Sequence, residues 1–369
     1  MTIKYLTKND VLAACIGGSV YASGGGGFYE HGLEMGEAAV ALSPVVLKTI
    51  DEFEEDDLII TQTAIGAPAG TTDWQMLGKD YIRAVELLLE KHPHPEKIKG
   101  ILTPQNGKSS STNGWLSASA LGLAVVDATG DIRAHPTGKM GNMGVANDTT
   151  YETIQAVSGG RRETGRHIEL SVQGTAAYTS KILRIASDLS GGFIAAARHP
   201  LTVSYIKQNA VIGGLSKAIE LGYCILEHQN EDGSSIIDAI VKHTHGEILA
   251  KGKVIAKDMT YTDEAFDVGK VKIKTESDNV TLHVQNEFMA VDSQALGRVA
   301  TYPDVITLFR AKDAKALSTD EISIDEEVVV FKISHKHFPL STGVKDPSVY
   351  PEVENVLGID LYRHAFKKV

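Results

Sequence analysis

The chain has 369 residues, room for about two domains of ordinary size with well-buried cores. Hydrophobic residues at 43% and charged residues at 22% are the balance of a globular protein, and 47 acidic against 36 basic residues leave a net charge of −11. That charge opposes nonspecific attachment to nucleic acid or an anionic membrane, no apolar run reaches spanning length, and two cysteines, Cys15 and Cys224, are too few for a disulfide framework or a thiolate metal site. With no leader-like N-terminus, the expectation is a cytoplasmic protein that binds neither nucleic acid nor membrane.

Along the chain, Thr7 followed three residues later by Asp10 reads as a capping box opening a helix through Val11, Leu12, Ala14 and Cys15. The helix runs into Gly24, Gly25, Gly26 and Gly27. A run of four glycines is costly in backbone entropy unless the chain must turn, reach positive φ or approach a ligand. Two readings stay open: a mobile loop tip, or a cradle whose amides face an anion or a carbonyl. Leu33 to Leu42 has helical spacing, and Val45 to Ile50 and Leu58 to Thr63 read as strands. A second small-residue loop follows at Ala64 to Gly70.

Tyr81 to Lys91 is an amphipathic helix stopped by His92-Pro93-His94-Pro95, and Lys99 to Thr103 is a strand followed by a polar loop through Gln105, Asn106 and Asn113. Trp115 to Gly122 is helical, and Ala124 to Asp127 is again a strand. The repeated strand-helix alternation predicts an α/β N-terminal domain with a mainly parallel or mixed sheet. Around Gly159-Gly160-Arg161-Arg162 the character changes, which gives expected domains of 1–165 and 166–369. The second is expected to be α+β, with a helical segment at about 173–250 and a large β-rich portion at about 252–340.

The densest polar cluster is Asp127, Asp131, Arg133 and His135. Asp131, Arg133 and His135 alternate, so in an extended piece they share one face. They make either a small charged site, with a carboxylate as base, Arg133 holding an anion and His135 moving a proton, or an Asp-capped turn with a surface ion pair. Gln285, Asn286 and Glu287 form a polar trio inside a β-like run and would need partners if buried. His243 with His245 and His335 with His337 have pairwise spacing but no recognised zinc motif, and no phosphate-loop, nucleophile-elbow or His-Glu-x-x-His sequence occurs.

Taken in order, these segments resemble the S-methyl-thiohydantoin desulfurase-like family, often encoded beside hydantoinase and oxoprolinase genes. The resemblance rests on Ala22-Ser23-Gly24-Gly25-Gly26-Gly27, Leu123 to Asp127 leading to Asp131, Arg133, Ala134 and Pro136, then Val284-Gln285-Asn286-Glu287, Tyr302-Pro303-Asp304-Val305-Ile306 and Gly358 to Tyr362. It covers nearly the whole chain. Phe28-Tyr29 stand where many relatives carry Asp-Pro, and His135 stands where phenylalanine is frequent.

The resemblance implies a two-domain hydrolase that removes a methylthio group from an S-methylated thiohydantoin, giving a hydantoin and methanethiol. For that chemistry Asp127 or Asp131 is expected as base and His135 as proton donor. The amides of Gly24 to Gly27 would hold a ring carbonyl or carboxylate, Phe28 and Tyr29 would lie against a flat ring, and Arg133, Gln105, Asn106 and the trio Gln285, Asn286 and Glu287 would bind substrate. A divalent metal could stand in as water activator, and no nucleotide is expected. The expected partners are a small-molecule substrate, further copies of the chain, and a hydantoinase or oxoprolinase-type enzyme. The competing reading is a noncatalytic subunit or small-ligand binding protein serving such an enzyme.

Overall fold

The computed structural model describes residues 4–66, 73–262 and 266–367. Near the N-terminus the capping box forms as expected: Asp10 N–H donates to Thr7 Oγ1 at 3.3 Å and Thr7 N–H to the Asp10 carboxylate at 2.8 Å, starting α1 (Lys8–Tyr21). Ser23 to Gly27 turns the chain into α2 (Tyr29–Leu42). Of the second small-residue loop, positions 67–70 lie outside the described residues.

Among the described residues nine strands make the first sheet: β1 (Lys4–Leu6), β2 (Val45–Lys48), β3 (Leu58–Gly66), β4 (Ile98–Gln105), β5 (Ala124–Asp131), β6 (Glu152–Gly159), β7 (Ile168–Thr175), β8 (Phe193–Thr202) and the short β9 (Val211–Ile212). The spatial order is β1-β2-β5-β4-β3-β8-β6-β7, with β9 on β5. Strands β2, β5, β4 and β3 run parallel; β1, β8, β6, β7 and β9 pair antiparallel, so the sheet is mixed. Side-chain alternation covers both faces. Ile60, Ile101 and Val125 face a core with α1, α2, α3 (Gly78–Lys91) and α4 (Trp115–Leu121). Their neighbours Ile59, Leu102 and Val126 face Ala176 at the start of α5 (Ala176–Leu189) and Val203 and Ile206 of α6 (Val203–Asn209).

After α7 (Gly214–Glu227) and α8 (Gly233–Thr244) comes an all-antiparallel sheet: β10 (Glu247–Tyr261), β11 (Asp267–Lys274), β12 (Asn279–Gln285), β13 (Glu287–Ser293), β14 (Gly297–Thr301), β15 (Val305–Arg310) and β16 (Glu327–Ile333). It curls over a core including Val271, Leu282, Leu308 and Val330, while Phe309, Val329 and Phe331 pack on Val20 of α1, Leu221 of α7 and Ile237 of α8.

Two local expectations change. The stretch at about 173–250 is not uniformly helical, because Phe193 to Thr202 forms β8 and pairs with β3 and β6. Its alanines suit a helix by propensity, but tertiary pairing of a buried strand wins. Strands from 168 to 212 thus complete the first sheet. Strand β5 also continues past Asp127 to Asp131, with every residue buried. The Asp127 carboxylate therefore projects from within the strand, where it accepts Ser216 N–H at 2.9 Å and Ser216 Oγ–H at 2.7 Å. Ser216 lies in the first turn of α7, whose preceding residue Gly213 supplies no side-chain cap. Asp127 caps that turn from the sheet, with its charge at the favourable end of the helix dipole. Asp127→Ala should therefore lower stability by about 1 kcal/mol, read as a fall in thermal midpoint, and Asp127→Asn should fall between the two.

Candidate active-site cavity

Gly24, Gly26 and Gly27 have φ of +89°, +76° and +83°, and Ser23 has +48°. Close approach also demands the absence of side chains. A Cβ on Gly24 would lie 2.7 Å from the Phe288 ring, on Gly25 2.2 Å from Glu287 Oε1, on Gly26 2.7 Å from Gly107 Cα and on Gly27 2.0 Å from Ser109 Oγ. The loop is wedged between the segment after β4 and the β12–β13 hairpin. Gly26 O accepts Ser109 and Ser110 N–H, Ser23 O accepts Phe288 N–H, and Gly24 O accepts Thr319 N–H. Gly25 N–H is taken by Ala22 O, while the amides of Gly26 and Gly27 have no partner among the described residues. They lie just before α2, whose first turn likewise has no side-chain cap.

This loop walls a cavity of about 790 Å³ at the carboxyl ends of β3 and β4. Gly25, Gly26, Gly27, Phe28, Gln105, His135, Gln285, Asn286 and Glu287 all line it, so the structure brings together nine of the expected site residues. Asn286, at φ +56°, turns the hairpin; its N–H donates to Asp267 O at 2.8 Å and its Oδ1 accepts Asp267 N–H at 2.9 Å. That clamp points Gln285 and Glu287 inward. Both side-chain polar atoms of Gln285 and Oε2 of Glu287 are buried without partners among the described residues. Burial pushes the Glu287 carboxyl up to about 8, against the pull of Arg133 and Arg184 and helped by Asp267 and Asp131.

His135 is held by its backbone N–H on Gln105 Oε1 at 3.2 Å, and both of its ring nitrogens are buried without partners. Burial, reinforced by Arg133 and Arg198, lowers its pKa to about 3, so the ring is neutral. Phe28 lies at the wall with its ring stacked on Trp74 at 5.3 Å and edge-on to Phe193, which occupies one of its faces.

The other expected residues lie outside the cavity lining. Gly24 backs the loop, Tyr29 begins α2, and the Asn106 side-chain NH2 donates to Ile132 O and Gly214 O. Asp127 caps α7 as described. Asp131 is fully buried, accepting Tyr302 Oη–H at 2.8 Å, and burial raises its pKa to about 6. Arg133 bridges three backbone carbonyls, Ala134 O at 2.8 Å, Asp304 O at 2.6 Å and Phe288 O at 3.1 Å. Its position beside the hairpin base makes it a fastener between the sheets, outside the cavity lining.

Three residues enter that sequence reasoning passed over. Arg198 and His199 stand at an irregularity in the β3–β8 register, with His199 at φ +50°, and Arg184 comes from α5. Arg198 donates to Gln155 Oε1 and Ser180 Oγ, and Arg184 to Gly66 O and Pro136 O, so their hydrogen-bond partners are all neutral. His199 is neutral by burial, with Nε2 unpartnered. Arg198-His199 within an otherwise apolar segment was the available signal, but a helical reading of that segment concealed it. Among the described residues no three His, Cys, Asp or Glu side chains converge as a metal site.

Both halves of the chain match one family. The S-Me-THD-like N-terminal domain covers residues 9–163 and the S-Me-THD-like C-terminal domain covers 174–340. The chain belongs to the S-methyl-thiohydantoin desulfurase-like family. A protein from Chromobacterium violaceum solved by X-ray crystallography shares the fold, with a TM-score of 0.76 and 20% identity over 97% of this chain and 99% of that one. No curated protein matches. No helix among the described residues of this family member is long and apolar enough to cross a membrane.

Two outcomes follow from the wall of the cavity. Gly26→Ala forces a side chain into a positive-φ position against backbone, and should destabilise by about 2 kcal/mol or more, measured by denaturant unfolding. Because folding raises the Glu287 pKa from 4.5 to about 8, the folded state keeps a proton that the unfolded state has lost between those values. Stability from this group is thus present at low pH and falls as pH rises through that window, and Glu287→Gln should flatten that slope in thermal midpoints from pH 5 to 9.

Proposed function

We propose that the chain is a hydrolase acting on a small cyclic amide or S-methylated thiohydantoin-like compound, adding water to a ring carbon with release of a thiol. The observation that carries this reading is Glu287, a carboxyl kept protonated near neutral pH with an unpartnered oxygen, in the same cavity as the uncharged, unpartnered imidazole of His135. A carboxyl poised near 8 is suited to donate a proton at neutral pH.

In this reading water attacks the ring carbon that bears sulfur while His135 takes its proton. The carbon–oxygen bond forms, the carbon–sulfur bond breaks, and Glu287 gives its proton to the departing sulfur. The proton on His135 then returns to the Glu287 carboxylate, and the hydroxyl left on the carbon passes its proton to the adjacent ring nitrogen, leaving a ring carbonyl, a ring N–H and a free thiol. Asp127 and Asp131 take no part as base, since neither lines the cavity. Burial is the main cause of the lowered His135 pKa, and an anionic ligand beside Arg198 would offset the smaller part that the arginines add, strengthening the ring as proton acceptor. The amides of Gly26 and Gly27 would receive negative charge developing on the ring. Arg184 and Arg198, partnered only by neutral groups, favour a substrate that carries a carboxylate.

Purified protein given an S-methylated thiohydantoin should release methanethiol, with activity declining above about pH 8 as Glu287 loses its proton. Glu287→Gln should reduce kcat by about 100-fold or more with the fold retained. Tight binding of hydantoin-type compounds without turnover, or copurification with a larger hydantoinase-like enzyme, would instead favour a noncatalytic subunit.

A further inference from the structure

Helix α5 buries one side on the first sheet through Leu183, Ala186 and Ser187. Its outer side carries Tyr178, Ile182, Ile185 and Leu189, exposed to 73%, 42%, 62% and 57%. Isolated exposed apolar residues are ordinary, but four on one helix form a seam. The gaps of four, three and four residues are those of a coiled-coil stripe over two heptads.

The stripe reads the same from either end. If two copies of α5 pack antiparallel about a two-fold axis, Tyr178 meets the partner's Leu189 and Ile182 meets the partner's Ile185, and the same contacts repeat by symmetry. The flanking charges agree. Lys181 and Asp188 are both exposed, and antiparallel pairing sets Lys181 near the partner's Asp188 twice over. The Lys181 ammonium lies over the Tyr178 ring, 5.7 Å from its centroid, and Asp188 accepts a long hydrogen bond from Tyr261, at 3.5 Å. Neither has an ion-pair partner among the described residues.

We propose that this face of α5 is the surface through which two copies of the chain associate. Lys181 and Asp188 lie on the same flank of the stripe, and only antiparallel packing sets that flank against its own copy; parallel packing would face it with the uncharged flank of Thr179 and Ala186, so the charges favour the antiparallel arrangement. Lys181, Ile185 and Asp188 also belong to the cavity rim, so the partner's helix would border the cavity mouth.

Sedimentation velocity on the full chain over a concentration series tests the proposal. The expected result is a reversible dimer that Ile182→Asp with Ile185→Asp converts to monomer while circular dichroism and thermal midpoint are retained. Lys181→Asp alone should weaken association by about tenfold, and adding Asp188→Lys should restore it. A chain that stays monomeric at its highest soluble concentration overturns the proposal. So does a dimer that survives the double isoleucine substitution, or a charge swap that fails to restore what the single change lost.

Discussion

The structure depends on a backbone approach that leaves no room for a Cβ atom. Four consecutive glycines pass between the segment following β4 and the tip of the β12–β13 hairpin, with would-be Cβ contacts of 2.0 to 2.7 Å on both sides. Removing four side chains lets the two sheets close on one loop. The carbonyls of Ser23, Gly24 and Gly26 then secure each side. Three of these glycines also occupy positive φ, so the turn and the close approach are met by the same residues. The cavity is a consequence: its wall is the face of the loop turned away from these contacts, with two amides unpartnered.

A second group of residues holds the sheets from within. Arg133 gives its guanidinium to three carbonyls on three segments, and Asp131 takes the Tyr302 hydroxyl. A buried guanidinium is costly to desolvate and is tolerated where its donors are satisfied. Near the cavity both side-chain polar atoms of Gln285, both ring nitrogens of His135, Glu287 Oε2 and His199 Nε2 are buried without partners among the described residues. These side chains both line the cavity and keep hydrogen-bonding capacity for a ligand.

The elements were largely legible in the sequence, because their signals are local. The Thr7–Asp10 cap, the strands at Leu58 and Lys99 and the alternation after Val268 all rest on spacing within a few residues. The site was legible in part. The glycine run, His135 and the trio at Gln285 to Glu287 announce themselves by a cost that needs a reason: backbone entropy in one case, polar atoms in apolar strands in the others. Asp127 misled because a carboxylate in an apolar strand carries the same signal whether it faces a ligand or caps a helix 89 residues away. Arg184 and Arg198 were silent, since the first looks like a helix-surface cation and the second lay in alanine-rich text that reads as helix.

The sequence by itself determined the two-sheet organisation, the family and the presence of a loop that needs glycine, since these follow from periodicity, ordered motifs and backbone sterics. Only the tertiary structure decided which polar side chains reach the cavity. Asp131 ends β5 while Arg133 and His135 follow in the irregular segment beyond it, and burial with long-range partners assigns the first two to the interior and the third to the wall. The same decision gave Glu287 its raised pKa, because desolvation depends on what folds around a carboxyl and not on its neighbours in the chain.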